Sequence, residues 1–258
     1  MRSRLLTCLA AVLLVGFVSE ARAGALLWGL DTVSDTLVTI DSSTGVVTTK
    51  GTLPAFLFGG LDFSNGTLYA MLDAQLYTVD PDTAAAVPVG ASSGKFLESF
   101  EVIGGVGYTA DVIEENLYSV DLGTGAITLV GSHDTSPGPD RLTGLASPDE
   151  ATLFGVRIFQ NDLVQVSPVT GNVINVVGVH GIASVTSLAF ADGTFWTIPA
   201  FTTNLYALDP LSGAATPIRN DLRVQHITGL TARVVPEPAT LVLCGLGLAG
   251  LIRSRRRS

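Results

Sequence analysis

Residues 117–131 read LYSVDLGTGAITLVG. Leu117 to Val120 carry large or β-branched side chains on both faces, the pattern of a short strand buried on both sides. Asp121 then opens an Asp-x-x-Thr-Gly frame that ends at Gly125. An aspartate in the first position can accept hydrogen bonds from the turn amides, and the glycine supplies the positive φ that hairpin closure needs. A second strand follows, so the phrase reads as two strands and a tight turn.

The phrase recurs. LVTIDSSTGVVTTKG starts at Leu37, LYTVDPDTAAAVPVG at Leu76, LVQVSPVTGNVINVVG at Leu163 and LYALDPLSGAATPI at Leu205, so successive starts lie 39, 41, 46 and 42 residues apart. Only Ala84 departs from the glycine of the frame and only Ser167 from its aspartate. Two further strands precede most copies. GGLDFSNGTLYAML, from Gly59 to Leu72, is a strand, an Asn65-Gly66 turn and a strand, and RLTGLASPDEATLFGVR and VTSLAFADGTFWTI repeat that shape. FEVIGGVGYTA is a compact version. Four strands in ~42 residues is the blade of a β-propeller.

The ends of this array predict how the ring closes. ALLWGLD, from Ala25 to Asp31, reads as a second strand without its first, and HITGLTAR, from His226 to Arg233, as a first strand without the rest. Placed in one blade, they complete five blades and remove an open sheet edge. Six blades would need another ~40 residues, and an immunoglobulin-like array is the other arrangement that regular short strands allow.

The predicted fold is therefore all-β, a five-bladed propeller over residues 24–233, between two segments of another kind. Residues 1–23 have Arg2 and Arg4, an apolar run from Leu5 to Val18, and Ala21-Arg22-Ala23. This is the layout of a secretory signal peptide, its helix removed after Ala23 by signal peptidase. Residues 234–258 end in the apolar run 239–252 and the arginines Arg253, Arg255, Arg256 and Arg257, which predict a short transmembrane helix with its basic end in the cytoplasm.

Composition narrows the function classes. The whole chain is 47% hydrophobic and 14% charged. The propeller body holds seven basic and 21 acidic residues, a net charge of −14, which repels nucleic acid and anionic lipid. Both cysteines, Cys8 and Cys244, lie in the end segments, so the exported body rests on its core with no disulfide.

Val235-Pro236-Glu237-Pro238-Ala239-Thr240, the glycine-rich apolar run and the arginine cluster stand in that order. Together they resemble the PEP-CTERM sorting signal, a segment that also goes under the name ice-binding protein C-terminal domain without implying ice binding. The resemblance implies processing by exosortase near the Pro-Glu-Pro motif. It also implies a destination in the cell envelope, on the outer surface or in the extracellular matrix of an exopolysaccharide-making Gram-negative bacterium. The prolines on either side of Glu237 keep the motif extended and out of any helix, presented to an enzyme at the membrane surface. More loosely, the LYxVDPxTG phrase resembles the YVTN, NHL and quinoprotein-like propellers, which implies fold and no activity.

In a propeller the loops after second and fourth strands share one face, where ligands usually bind. That face is expected to carry Asp31, Asp73, Asp111 and Arg157 at the ends of second strands, and His133, His180 and His226 in three inter-blade loops. Zinc at the histidines, calcium at turns such as Asp80–Thr83, and glycoside hydrolysis by Asp31 and Asp73 are weighed against loop packing and turn capping. Capping and packing explain the residues better, so no cofactor is expected. Phe56, Phe58, Phe96, Phe159 and Phe201 could stack on sugar rings, though packing between blades is the commoner use. The expectation is a non-catalytic binding or structural protein, with extracellular polysaccharide as the candidate partner. A secreted hydrolase or lyase on the Asp/Arg/His face is the alternative.

Overall fold

The computed structural model describes residues 24–133, 141–224 and 226–233. The signal helix, the C-terminal membrane helix and the sorting motif expected from the sequence lie outside the described residues. Among the described residues there is no helix, and so none long and apolar enough to cross a membrane.

Five four-stranded antiparallel sheets form the body. Blade 1 has β1 (Leu26–Asp31), β2 (Thr36–Asp41) and β3 (Val47–Thr52), with β20 (Ile227–Ala232) as its innermost strand. Blade 2 has β4 (Gly59–Ser64), β5 (Thr67–Leu72), β6 (Gln75–Val79) and β7 (Ala86–Val89). Blade 3 has β8 (Glu101–Ile103), β9 (Val106–Ala110), β10 (Asn116–Val120) and β11 (Ile127–Ser132). Blade 4 has β12 (Leu142–Ala146), β13 (Leu153–Arg157), β14 (Asp162–Val166) and β15 (Val173–Val179). Blade 5 has β16 (Ala189–Ala191), β17 (Thr194–Thr197), β18 (Leu205–Leu208) and β19 (Ala215–Arg219).

Ring closure follows the sequence expectation. β20 pairs antiparallel with β1, Leu27 opposite Ala232 and Gly29 opposite Leu230. The core is divided into five clusters, one at each junction between neighbouring blades. Leu30, Leu37, Leu61 and Leu68 pack blade 1 on blade 2, and Leu27, Ile40, Ile198 and Leu205 pack blade 5 on blade 1. Burial on both faces of a strand is thus what makes each blade a spacer between two cores.

The repeated turn behaves as its chemistry dictates. Oδ1 of Asp121 accepts from the amides of Gly123 (3.0 Å) and Thr124 (2.8 Å), and the Gly125 amide donates to the Asp121 carbonyl. Ser167 does the same work with its hydroxyl, at 3.3 and 3.1 Å. Ala84 accepts the left-handed conformation that glycine takes in the other copies, with φ 60°. The glycine closing the phrase has a second cause. A Cβ on Gly131 would overlap the carbonyl oxygen of Thr170, in the corresponding turn of the next blade. Gly51, Gly90 and Gly178 stand in the same relation to Thr83, Thr124 and Ser212, so turn and glycine are the two halves of an inter-blade contact.

Candidate functional site

The loops after second and fourth strands bring the expected residues to one face, and each is engaged there. Oδ1 of Asp73 accepts from the amides of Leu57 (3.0 Å) and Phe58 (2.9 Å), which fixes the crossover into blade 2. Oδ1 of Asp111 accepts from Ile113 (2.7 Å) and Glu114 (2.8 Å), and Oδ1 of Asp31 from Val33 (3.1 Å). Arg157 holds Asp162 through Nε (2.9 Å) and Nη2 (2.6 Å), both side chains buried.

The histidines of this face are packed in their loops. His133 is fully buried. His180 is buried, its Nδ1 accepts from the Ile182 amide at 3.1 Å, and burial lowers its pKa to about 4. His226 contacts the Thr32 hydroxyl through Nδ1 (3.0 Å) and stacks on the ring of Phe201 at 4.3 Å. Among the described residues, no three His, Cys, Asp or Glu side chains come together in a group that could hold a metal ion. Asp80, the best calcium candidate by sequence, spends Oδ1 on the amides of Asp82 and Thr83.

Two groups on this side escaped sequence reasoning. Glu98, at the start of the innermost segment of blade 3, is buried beside Arg141, with Nη2 2.8 Å from the carboxylate. Burial raises the Glu98 carboxyl to about 7, against the opposing pull of the guanidinium. Arg141 in turn lies over the ring of Phe58.

At the other end of the channel, on the face of the Asp-x-x-Thr-Gly turns, a cavity of about 700 Å³ opens. Its wall includes Asp62 and Phe63 from β4, Glu101 from β8, Phe190 from β16 and Thr231 from β20, with Ser147, Asp149, Glu150 and Arg233 nearer the rim. Further in, where Gly60, Ser99, Gly144, Ser187 and Gly229 crowd the axis, the channel narrows to about 10 Å³, room for a single water. The cavity is therefore a funnel closed at its inner end.

Its chemistry is set by two deep carboxyls. Asp62 bridges blades: Oδ1 accepts from the Thr231 hydroxyl at 2.7 Å and Oδ2 from the Val102 amide at 3.0 Å. Burial raises its pKa to about 6 even so. Glu101 is pushed well above the ordinary carboxylate range, first by burial and then by the charge of Asp62, although the Ser147 amide stabilises its anion. Both groups thus favour the neutral acid. At the rim Asp149 is held the other way, because the amides of Thr152 and Ala151 favour its carboxylate. Deep carboxyls whose neutral form burial favours, below an ionised rim, can accept hydrogen bonds from a polar ligand or ionise to meet a cation. A sequence signal existed: Asp62 and Glu101 occupy equivalent places in two otherwise apolar inner strands.

Comparison with known proteins divides the chain in the same way. Residues 234–257 match the family model described as the PEP-CTERM protein-sorting motif, which implies an exported protein of the cell envelope that exosortase processes. No curated protein matches the sequence. Among solved structures, the chain is similar to a structural-genomics protein of unknown function from Bacteroides thetaiotaomicron VPI-5482. The identity is 14% and the TM-score 0.54, with 83% of this chain and 63% of that one covered. This likeness shows the fold alone, and the chain spans less than two thirds of that protein.

Proposed function

We propose that this chain is a non-catalytic binding module, exported and sorted through its C-terminal motif, and that its ligand enters the acidic funnel. The supporting observation is the funnel itself, about 700 Å³ with a closed inner end and two nearly buried carboxyls in its wall. Pockets of this size with a few convergent polar groups are the usual form of small-ligand sites. On the opposite face Asp31, Asp73, Asp111 and Arg157 are taken up by their own loops, which favours binding over hydrolysis there. The segment matched to the sorting motif starts at residue 234, directly after Arg233 on the funnel rim.

Thermal-shift screening of the purified protein against glycans and small metabolites tests the reading, with Glu101→Gln as the control. Ligands should raise the melting temperature of the native protein and lose that effect in the variant. Ligands that stabilise both equally would overturn the assignment of the funnel. A secreted hydrolase or lyase is the second reading, favoured by Glu98, whose carboxyl stands at about 7 beside Arg141. Turnover of a glycan that Glu98→Gln abolishes would establish it in place of the first.

A further inference from the structure

Glu101 is 8% exposed in the funnel wall, and the Ser147 amide, but no side chain among the described residues, hydrogen-bonds its carboxyl. A carboxyl with spare acceptor capacity can take further hydrogen bonds from the donors of a ligand. The titratable and charged groups facing this space are the carboxyls of Asp62, Glu101, Asp149 and Glu150 and the guanidinium of Arg233. The rim carboxylates draw cations inward, and the deep carboxyls add negative charge when they ionise, so the funnel disfavours anions. A metal ion is a poor match, since no three ligating side chains of the described residues come together. An organic cation is a better one, because its hydrogen-bond donors can be spread over a wall that also offers the rings of Phe63 and Phe190. That wall already receives a cation: the Arg233 guanidinium lies 5.9 Å from the centre of the Phe63 ring.

Resting on the reading of the funnel as the binding site, we propose that its ligand carries a primary ammonium group. The ammonium donates to the carboxyls of Asp62 and Glu101, and the frame of the ligand lies against Phe63 and Phe190. Two sources share this chemistry, an amino sugar with its nitrogen free and an aliphatic polyamine. Both make the same demand on the protein. The deep carboxyls favour their neutral form in the empty funnel, and a cation favours the anion. Binding therefore releases protons, and affinity rises with pH across the range in which these groups titrate.

Isothermal titration calorimetry at pH 6, in two buffers of different ionisation enthalpy, reads this directly. The probes are a glucosamine trisaccharide, its fully N-acetylated counterpart and spermidine. A free-amine probe should bind with release of a measurable fraction of a proton, and more tightly at pH 7 than at pH 5. The N-acetylated trisaccharide should bind at least ~10-fold more weakly, with no proton release. Glu101→Gln, which keeps an acceptor for the Ser147 amide, should weaken amine binding by a similar factor and reduce the proton release. Glu150→Gln at the exposed rim gives a smaller loss of affinity that vanishes in high salt, and serves if the first variant is unstable. Binding by the glucosamine probe and not by spermidine assigns the amino sugar, and the reverse assigns the polyamine. Equal binding of free-amine and acetylated probes without proton release would overturn the ammonium proposal and leave the binding-module reading standing. Failure of every probe would overturn the ammonium proposal. The binding-module reading itself falls only if the ligands found by thermal shift are indifferent to Glu101→Gln.

Discussion

Asp62→Asn should change how stability depends on pH more than it changes stability itself. Asp62 ties β20, the strand that closes the ring, to blade 3 through the Thr231 hydroxyl and the Val102 amide. Its pKa rises from the model-compound value of 3.8 to about 6 because the anion is buried. A raised carboxyl pKa means that the native state holds its proton where the unfolded chain has lost it. The contribution is fully present below pH ~4 and is lost as pH rises through 6. A shift of about two units corresponds to about 3 kcal/mol between those limits. Asparagine cannot titrate. It keeps one acceptor and turns its amide towards a donor, at a cost of about 1–3 kcal/mol. Urea denaturation of both proteins between pH 3 and 8 checks the prediction. The variant should be clearly weaker at pH 3, and the gap should narrow by about 3 kcal/mol towards pH 8. Glu101 amplifies the effect, since part of its own upward shift comes from the charge of Asp62. Parallel curves would refute the reasoning, because they would mean that Asp62 ionises in the native funnel as it does in water.

Two other substitutions address separate parts of the fold. Gly131→Ala puts a methyl group into the Thr170 carbonyl of the next blade, and neither backbone can retreat without opening the junction. It should cost about 2–3 kcal/mol or more by urea denaturation, whereas Gly104→Ala, with open space around it and φ 56°, should cost only about 1 kcal/mol. His180 is neutral in the fold down to about pH 4, so the unfolded chain takes up a proton below ~6.5 that the native state refuses. His180→Asn keeps an acceptor for the Ile182 amide, and it should make the loss of stability between pH 6.5 and 4 shallower in the same titration.

What could be read from the sequence was whatever the fold repeats. The Asp-x-x-Thr-Gly frame recurs because every blade needs the same turn, and the fragments ALLWGLD and HITGLTAR were legible because each lacked what the other supplied. The closing glycines were visible as part of the phrase, but their cause was not, since the carbonyl they accommodate belongs to the following repeat. The site was harder to read because a site breaks the repeat. Asp31, Asp73 and Asp111 drew attention by recurring at strand ends, and recurrence there is explained by loops that need an acceptor. Asp62 and Glu101 are the departures. Equivalent positions in the other inner strands hold Ala146, Ala189 and Thr231, so two carboxyls in five places mark one side of the axis as different. Glu98 stayed hidden because its partner, Arg141, lies 43 residues away in the next blade.

The two faces of the ring differ in chemistry, and the path of the chain assigns them different neighbours. β1 begins and β20 ends on the funnel face, so the body joins both flanking segments there. A tail held in a membrane from residue 234 onward would bring the acidic funnel close to that membrane. The opposite face would point away from it. That opposite face exposes Leu57, Phe96, Ile113, Phe159 and Phe201 on its loops, and Phe201 is 79% exposed with φ 59°. A bulky residue held at positive φ and left in solvent is unusual, and here the ring is backed by His226, itself fixed by Thr32. Cutting the chain near Pro236 would separate the body from the membrane a few residues past the funnel rim. Access to the funnel and release from the membrane would then be linked, whereas the apolar loops would be accessible in either state. Ligand capture in the funnel would then belong to the processed protein, and contacts through the phenylalanine-bearing loops would be available before processing as well as after it.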